Sequence, residues 1–455
     1  SLPKKLSKVS SLPEPHTIDV FSLNDSISIQ ISTSQKKITK NNRYILLSNS
    51  RIDNLYEIKQ KNPELSCLSE AEIFLELFEK YGEDSFKKIA GPFSYIIMCL
   101  QTGSVYGGRD LFGQRPLYYC DNDEFLMVAT NIDIFFELGI SRSINNEKVL
   151  QFILSNHYKD GKTFYKDINK INGGCSFSFI NDCFSIRKFM QPKDLIAYKD
   201  YGKSDLIKKF RDEYINVISS ITTTIDEDCA TTLSGGLDSS SISLISSTAD
   251  SKKNVYSHSI HFHGLSEHDF KKTNEKKYVD VVLKNSQLKH TYINLDYKNN
   301  GPLYKLNTYK MMSQPYGIIN GYVHESIYEE CRRKNIKYLF DGLFGDEVVS
   351  HGVFRLNELV NKGNLFIFFY EIILLRFNGV IHSLRNQIKN YLIQPIKNVF
   401  KIPFSLSRFN HHKLIDFSEL VLKNKNHDNF LNKYKSERKT IFKSDLHEQL
   451  KLFDS

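Results

Sequence analysis

The sequence predicts two joined folds: an α+β first half built on short antiparallel strands, then an α/β second half with a parallel sheet and a helical C-terminal part. Three observations predict this. The chain has 455 residues, more than a single hydrophobic core usually serves. Its first half carries short apolar runs separated by turn residues. Beyond residue 203, strand-like and helix-like segments alternate, the rhythm of a parallel sheet covered by helices.

In the first half, residues 44–47 (Tyr-Ile-Leu-Leu) form an apolar run ending in Ser-Asn-Ser. A longer run covers 93–100, and Thr102-Gly103-Ser104 then turns the chain into Val105-Tyr106 as a hairpin. Between them lies a helix over 69–81, with Ser69 as N-cap and Glu70 and Glu72 in its first turn. Further strands are expected at 117–119 and 125–129. The polar segment 191–204 carries Pro and Gly, which sets the domains at 1–193 and 194–455. The second half then reads as helix 203–220, strand 229–233, a Gly-rich loop and helix 239–246. Strand 255–262, helix 275–284, strand 290–295, helix 322–333 and strand 336–340 follow. After Asp346 the chain reads as helical, with 365–377 a buried helix because Glu371 and Arg376 interrupt its apolar run.

Composition narrows the function classes. Apolar residues make up 40% and charged residues 25%, ordinary for a water-soluble globular chain. No segment reads as a membrane span or a signal peptide, although the chain begins at Ser1 rather than Met. Seven cysteines, with no C-x-x-C pair, argue against a disulfide framework or a zinc ribbon and fit a reducing cytoplasm. Cys175 and Cys229 sit among apolar residues and read as core. The net charge of +9 is spread along the chain. It fits a solvated surface, or an anionic substrate, nucleotide or acidic peptide, and it does not single out nucleic acid.

The most informative segment is Ser234-Gly235-Gly236-Leu237-Asp238-Ser239-Ser240. A strand runs into two glycines and then into a helix. Glycine lets backbone N–H groups approach an anion closely, and the helix start adds unpaired N–H groups and a partial positive charge. Ser234, Ser239 and Ser240 offer hydroxyl donors to phosphate. Asp238 would hold Mg²⁺, which prefers carboxylate and phosphate oxygens. The loop is not G-x-x-x-x-G-K-[ST].

This loop resembles the S-G-G-x-D-S loop of the ATP-pyrophosphatase family. Two more stretches are similar to asparagine synthetases in particular. Gly108 to Tyr119 (GRDLFGQRPLYY) looks like the R-D-x-x-G-x-R-P-L-Y-Y segment of their glutaminase-like, Ntn-type β-sandwich domain. Residues 338–347 (YLFDGLFGDE) look like their S/D-G-x-G-x-D-E segment, with the second Gly shifted by one place. The resemblance implies ATP and Mg²⁺ as cofactors, with Asp238 and Asp346 as metal ligands and catalytic groups. It implies Leu233 and Ile260 at adenine and Gly342 as a backbone contact to the nucleotide, beside Gly235, Gly236 and the loop serines.

The sequence also departs from that pattern. The family's N-G-E-I-Y-N stretch, which holds glutamine, aligns with Asn49-Ser50-Arg51-Ile52-Asp53-Asn54, and its substrate-holding Asp aligns with Glu70. Arg51 replaces a carboxylate, so the glutaminase site is expected to be inactive and the first domain a scaffold. Arg-Ile-Asp-Asn is similar to the R-L-D-N of β-lactam synthetases and lasso-peptide cyclases. At the position of the family's Glu or Tyr base stands Leu343, which moves no proton. The family's later catalytic Lys and Arg have no match before Ser455, so the second domain reads as C-terminally incomplete. The expected function is adenylation of a carboxylate for attack by an amine, as in macrolactam closure of a precursor peptide supplied by a partner protease. The alternatives are amidation of aspartate or a sugar acid, and a non-catalytic ATP- or partner-binding homologue.

Overall fold

The structure, a computed structural model, describes residues 17–377 apart from 25–26, 34–37, 123–124, 154–160, 196–202, 250–252, 269–273, 297–312, 316–320, 344, 346–355, 357–358 and 361–362. The chain divides into two compact units, Ser1–Gly342 and Leu343–Ser455. Among the described strands of the first unit, none from before residue 191 pairs with one from after 204.

Strands β1 (Thr17–Asn24) and β2 (Ile27–Thr33) pair antiparallel with each other. The main sheet of the first half uses β3 (Ile38–Lys40), β4 (Tyr44–Ser50), β5 (Phe93–Cys99), β6 (Val105–Arg109), β10 (Cys175–Ile180) and β11 (Cys183–Lys188). Its order is β11-β10-β6-β5-β4-β3, with every neighbouring pair antiparallel. Gly103, at φ +70°, makes the turn expected between β5 and β6. A smaller sheet of β7 (Tyr118–Asp121), β8 (Leu126–Ala129) and β9 (Asn169–Lys170) has the order β8-β7-β9.

Helix α1 (Glu70–Tyr81) lies on the main sheet. Its start is the expected one: Ser69 Oγ accepts from the Glu72 N–H, and the Glu72 carboxylate accepts from the Ser69 N–H at 2.8 Å. Its Phe74 ring stacks on Tyr95 at 3.8 Å, and Phe78 meets Tyr44 edge-on at 5.5 Å. Each such fully buried aromatic stabilises the fold by roughly 1.5–3 kcal/mol. On the sheet's other side, Leu117, Ile171, Cys175 and Phe177 form a core with Tyr119, Val128 and Phe184, which joins the two sheets. Short helix α2 (Asp133–Glu137) adds Phe135 to a further core with Tyr118 and Tyr165.

The second half begins with α3 (Lys203–Thr224), then β12 (Cys229–Thr232), α4 (Leu237–Ala249), β13 (Val255–His263) and α5 (Lys276–Lys284). It continues with β14 (Lys289–Asp296), α6 (Gly321–Arg333) and β15 (Tyr338–Phe340). The four strands make a parallel sheet of order β14-β13-β12-β15. The expected alternation therefore holds, with ends moved by a few residues. The largest change is at α3, which ends at Thr224 rather than 220, and α4 starts at Leu237 rather than 239. All seven cysteines are free, and Cys175 and Cys229 are buried as expected.

In the second unit, α7 (Leu365–Phe377) corrects the expectation of a buried helix. Phe368 and Ile372 are buried with Leu356 and Leu359, whereas Phe366 is 86% exposed. The burial follows i,i+4 spacing, so a single stripe is covered even though the helix is apolar all round. Among the described residues, no helix is long and apolar enough to cross a membrane.

Candidate functional site

The site sits where β12 ends, at the carboxyl end of a parallel strand, the usual ligand position in such sheets. Leu233 is buried and donates its N–H to the His258 carbonyl at 2.8 Å, while Ser259 Oγ donates to the Leu233 carbonyl. These bonds fix the strand end from which the loop departs. Gly235 has φ +91°, and a Cβ there would lie 3.0 Å from Tyr278 Cβ and 3.2 Å from the Glu275 carbonyl. Both conformation and space therefore require glycine. At Gly236 a Cβ would meet only Ser234 Oγ, at 3.3 Å.

The loop is tied across its base. Ser234 Oγ and Ser239 Oγ are 2.9 Å apart, the Ser234 N–H donates to Ser239 Oγ, and the Gly236 N–H donates to Ser234 Oγ. Ser239 is buried and Ser234 exposed. Ser240 Oγ is buried with no hydrogen-bond partner among the described residues, although its N–H closes the first helical turn onto the Gly236 carbonyl. A buried hydroxyl without a partner costs about 1–3 kcal/mol. Asp238 lies in the first turn of α4 and is half-buried.

Gly342 joins this loop from the far side. A Cβ at Gly342 would stand 2.8 Å from the Ser239 nitrogen and 3.2 Å from Asp238 Cβ. Two expected nucleotide residues from distant parts of the sequence are thus in van der Waals contact. Ile260 lies on β13, with its side chain in the core shared by Ala230, Ile327 and Leu339. Asp346 falls outside the described residues. Leu343 is 49% exposed.

Several supporting groups were not legible in the motif. Ser239, Ser243 and Ser246 are all buried on one stripe of α4. Ser243 Oγ donates to Thr231 Oγ1 at 2.8 Å, which draws the helix close to β12. The i,i+4,i+7 spacing of these serines was the available signal. Tyr278 packs on Gly235, and Lys277 Nζ stands 4.6 Å from the Tyr278 ring centre, placing a cation near the loop. Beneath the strand end, His258 is buried with no partner for either ring nitrogen among the described residues. Burial, reinforced by Lys334, pushes its pKa down to about 4. Burial also pushes His290 down to about 4, and its Nδ1 is 2.8 Å from Ser257 Oγ.

The first-half residues have a different arrangement. Arg51 is held by the Asp53 carboxylate, with Nε at 2.6 Å and Nη2 at 3.3 Å. The Arg51 and Asp53 N–H groups donate to the Pro92 and Ala90 carbonyls. The Asn54 side chain accepts from the Ala90 N–H and donates to the Lys88 carbonyl. Arg-Ile-Asp-Asn therefore clamps the 88–92 loop. Gly91 is needed there, because a Cβ would stand 2.3 Å from the Arg51 carbonyl. Asn49 lies on β4 opposite Ser94. Glu70 is in the first turn of α1 and is partly buried. Near it is Tyr95, fully buried, whose phenol pKa is raised by burial; the neighbouring Ser50 side chain opposes that rise and the Glu70 charge adds to it.

The GRDLFGQRPLYY stretch also has a structural role. Buried Arg109 donates to the carbonyls of Ile171 (2.7 Å), Gly113 and Arg115. Asp110 accepts from the N–H groups of Phe112, Gln114 and Arg115. Together they fold the turn between β6 and β7.

Comparison with known proteins agrees with this layout. Residues 27–190 match a glutamine amidotransferase domain model, and residues 220–415 match an asparagine synthase model. A protein assigned as glutamine-hydrolyzing asparagine synthetase 2 in Methanocaldococcus jannaschii is 26% identical over 69% of this chain and 60% of its own length. Asparagine synthetases 2 and 1 of Bacillus subtilis are each 24% identical, over 85% and 50% of this chain and 52% and 37% of theirs. The chain thus spans roughly 40–60% of the length of these relatives. With a match to a glutamine amidotransferase domain followed by a match to an asparagine synthase domain, the chain is similar to asparagine synthetases over both of its halves.

Proposed function

We propose that the chain is the core of an ATP-dependent carbon–nitrogen ligase that amidates a small carboxylate such as aspartate or a sugar acid. The observation that carries this reading is the contact of Gly342 with the start of α4, beside the unpartnered Ser240 hydroxyl. A carboxylate oxygen attacks the α-phosphorus of ATP and pyrophosphate leaves. The amine nitrogen then attacks the acyl carbon, AMP leaves with the C–O bond electrons, and the amine loses a proton. Loop N–H groups and the Ser234, Ser239 and Ser240 hydroxyls bind the departing pyrophosphate. Asp238 and Asp346 would hold Mg²⁺, which neutralises phosphate charge. Leu233 and Ile260, whose side chains sit in separate cores, would present only backbone atoms to the adenine. The first half would be an Ntn-type sandwich, and Arg51, already engaged by Asp53, leaves no carboxylate at that position to bind a glutamine ammonium.

Macrolactam closure of a precursor peptide remains the second reading, favoured by the exposed, proton-inert Leu343. It loses one support, because Arg-Ile-Asp-Asn is accounted for by the 88–92 clamp. The deciding experiment is pyrophosphate release from MgATP with a panel of carboxylates and ammonia, in wild type and Asp238→Ala. Carboxylate-dependent release that falls on the order of 10²-fold or more in the variant is expected. Full activity in Asp238→Ala would refute the site.

A further inference from the structure

Three hydrogen bonds tie the first-half sheets to a turn of the second half. Tyr165 Oη donates to the Ser313 carbonyl at 2.6 Å. Ser313 Oγ donates to the Asp133 carboxylate. Gln314 Nε2 donates to Tyr118 Oη at 3.2 Å. Their partners are firmly placed. Tyr118 and Tyr165 belong to one buried core with Phe135, and Asp133 opens the helix that carries Phe135. The turn itself is unusual. Ser313 has φ +53°, a left-handed conformation that is uncommon for a residue other than Gly. Such a conformation persists where surrounding contacts enforce it, and here a main-chain acceptor and a side-chain donor of the same residue are both engaged.

The turn lies on the path to the nucleotide loop. It precedes α6, whose Ile327 and Cys331 pack with Ala230 of β12 and Leu339 of β15. Strand β15 ends two residues before Gly342, which rests on the Ser239 nitrogen. We propose that Tyr118, Asp133 and Tyr165 are positioning residues. They clamp the Ser313–Gln314 turn, which precedes α6 in the chain, and so hold α6 and β15, and with them Gly342, in register with the loop Ser234–Ser240. The amidotransferase-type half thereby serves the synthetase site mechanically, independently of any glutamine chemistry. Only the nucleotide arm of the test rests on the function proposed above.

The experiment uses the full chain and three variants: Tyr118→Phe/Tyr165→Phe, Asp133→Ala and Asp133→Asn. Hydrogen–deuterium exchange is followed without ligand, and MgATP affinity is measured by calorimetry. In the double variant and in Asp133→Ala, exchange over 313–342 rises several-fold while 229–233 and 255–263 stay as in wild type. MgATP binding weakens several-fold in the same variants. Asp133→Asn, whose side-chain oxygen still accepts the Ser313 hydroxyl, restores both. Unchanged exchange over 313–342 in folded variants overturns the proposal. So does raised exchange with unaltered MgATP affinity, which would make the bonds merely structural. If wild type binds no MgATP, the functional reading fails, and exchange across 338–342 decides the clamp by itself. Should the double variant not fold, the two Asp133 variants carry the same test.

Discussion

Replacing Gly342 by Ala tests the geometry on which the nucleotide site depends. The added Cβ would sit 2.8 Å from the Ser239 nitrogen, 3.2 Å from Asp238 Cβ and 3.3 Å from the Asp238 carbonyl carbon. These are helix-start atoms that cannot swing aside as a flexible side chain would. Reaching an ordinary contact near 3.4 Å requires about 0.6 Å of movement at the Ser239 nitrogen. The helix resists it, because Ser239 Oγ is bound to Ser234 and Ser243 Oγ to Thr231. Gly342 is not among the glycines with positive φ, so backbone preference contributes little and the contact carries the effect. Overpacking of this kind costs about 1–3 kcal/mol. If it falls on the phosphate loop, MgATP affinity drops by roughly 5- to 150-fold, since 1.4 kcal/mol is tenfold. Calorimetric titration of MgATP reads the affinity, and thermal unfolding shows whether the fold absorbed the strain instead. A variant with both wild-type affinity and wild-type Tm would refute the placement of Gly342 on the loop.

Other consequences follow from the same geometry. Ser243→Leu, at a fully buried position facing Thr231, should lower stability by about 1–3 kcal/mol; denaturant titration measures this, and an unchanged midpoint would contradict close helix–strand packing. Arg51→Ala frees a half-buried Asp53 and loosens the 88–92 loop, with an expected loss of about 1 kcal/mol after solvent screening and faster amide exchange at Ala90; unaltered exchange would count against the clamp. His258 has a folded pKa of about 4 against 6.5 for the free group. The unfolded state therefore binds the extra proton, so this contribution is complete above pH 6.5 and is lost as pH falls from 6.5 toward 4. Its size is about 3 kcal/mol at most, from 1.36 kcal/mol per pKa unit. His258→Leu should flatten the stability–pH curve across that window relative to wild type, and a parallel curve would exclude the buried neutral imidazole.

How far the sequence reached depended on whether a signal was local. The capping box at Ser69 and Glu72, the Gly103 turn and the strand–glycine–helix passage at 229–240 each depend on residues a few positions apart. Local sterics and hydrogen bonding set them, so they could be read directly. Some local signals were present and passed over. Asn181 and Asp182, with φ +49° and +59°, form the two-residue turn between β10 and β11, and Asx pairs favour such turns. The serine stripe of α4 likewise follows helical spacing.

What only the tertiary structure decided is the meaning of residues whose partners are distant in sequence. By itself, Arg51 is a charge where the resemblance implies a carboxylate; its pairing with Asp53 and the 88–92 loop makes it part of a clamp. Gly342 is one more turn glycine until β15 brings it against Ser239. The Ser313–Gln314 turn gives no sequence signal of its contacts with Tyr118, Asp133 and Tyr165, 148 to 196 positions away. The residues around Ser234–Ser240 thus determined what kind of loop forms there, because backbone conformation and helix-start donors are local properties. Which groups press on that loop is set by packing between distant segments, and a linear pattern does not encode it.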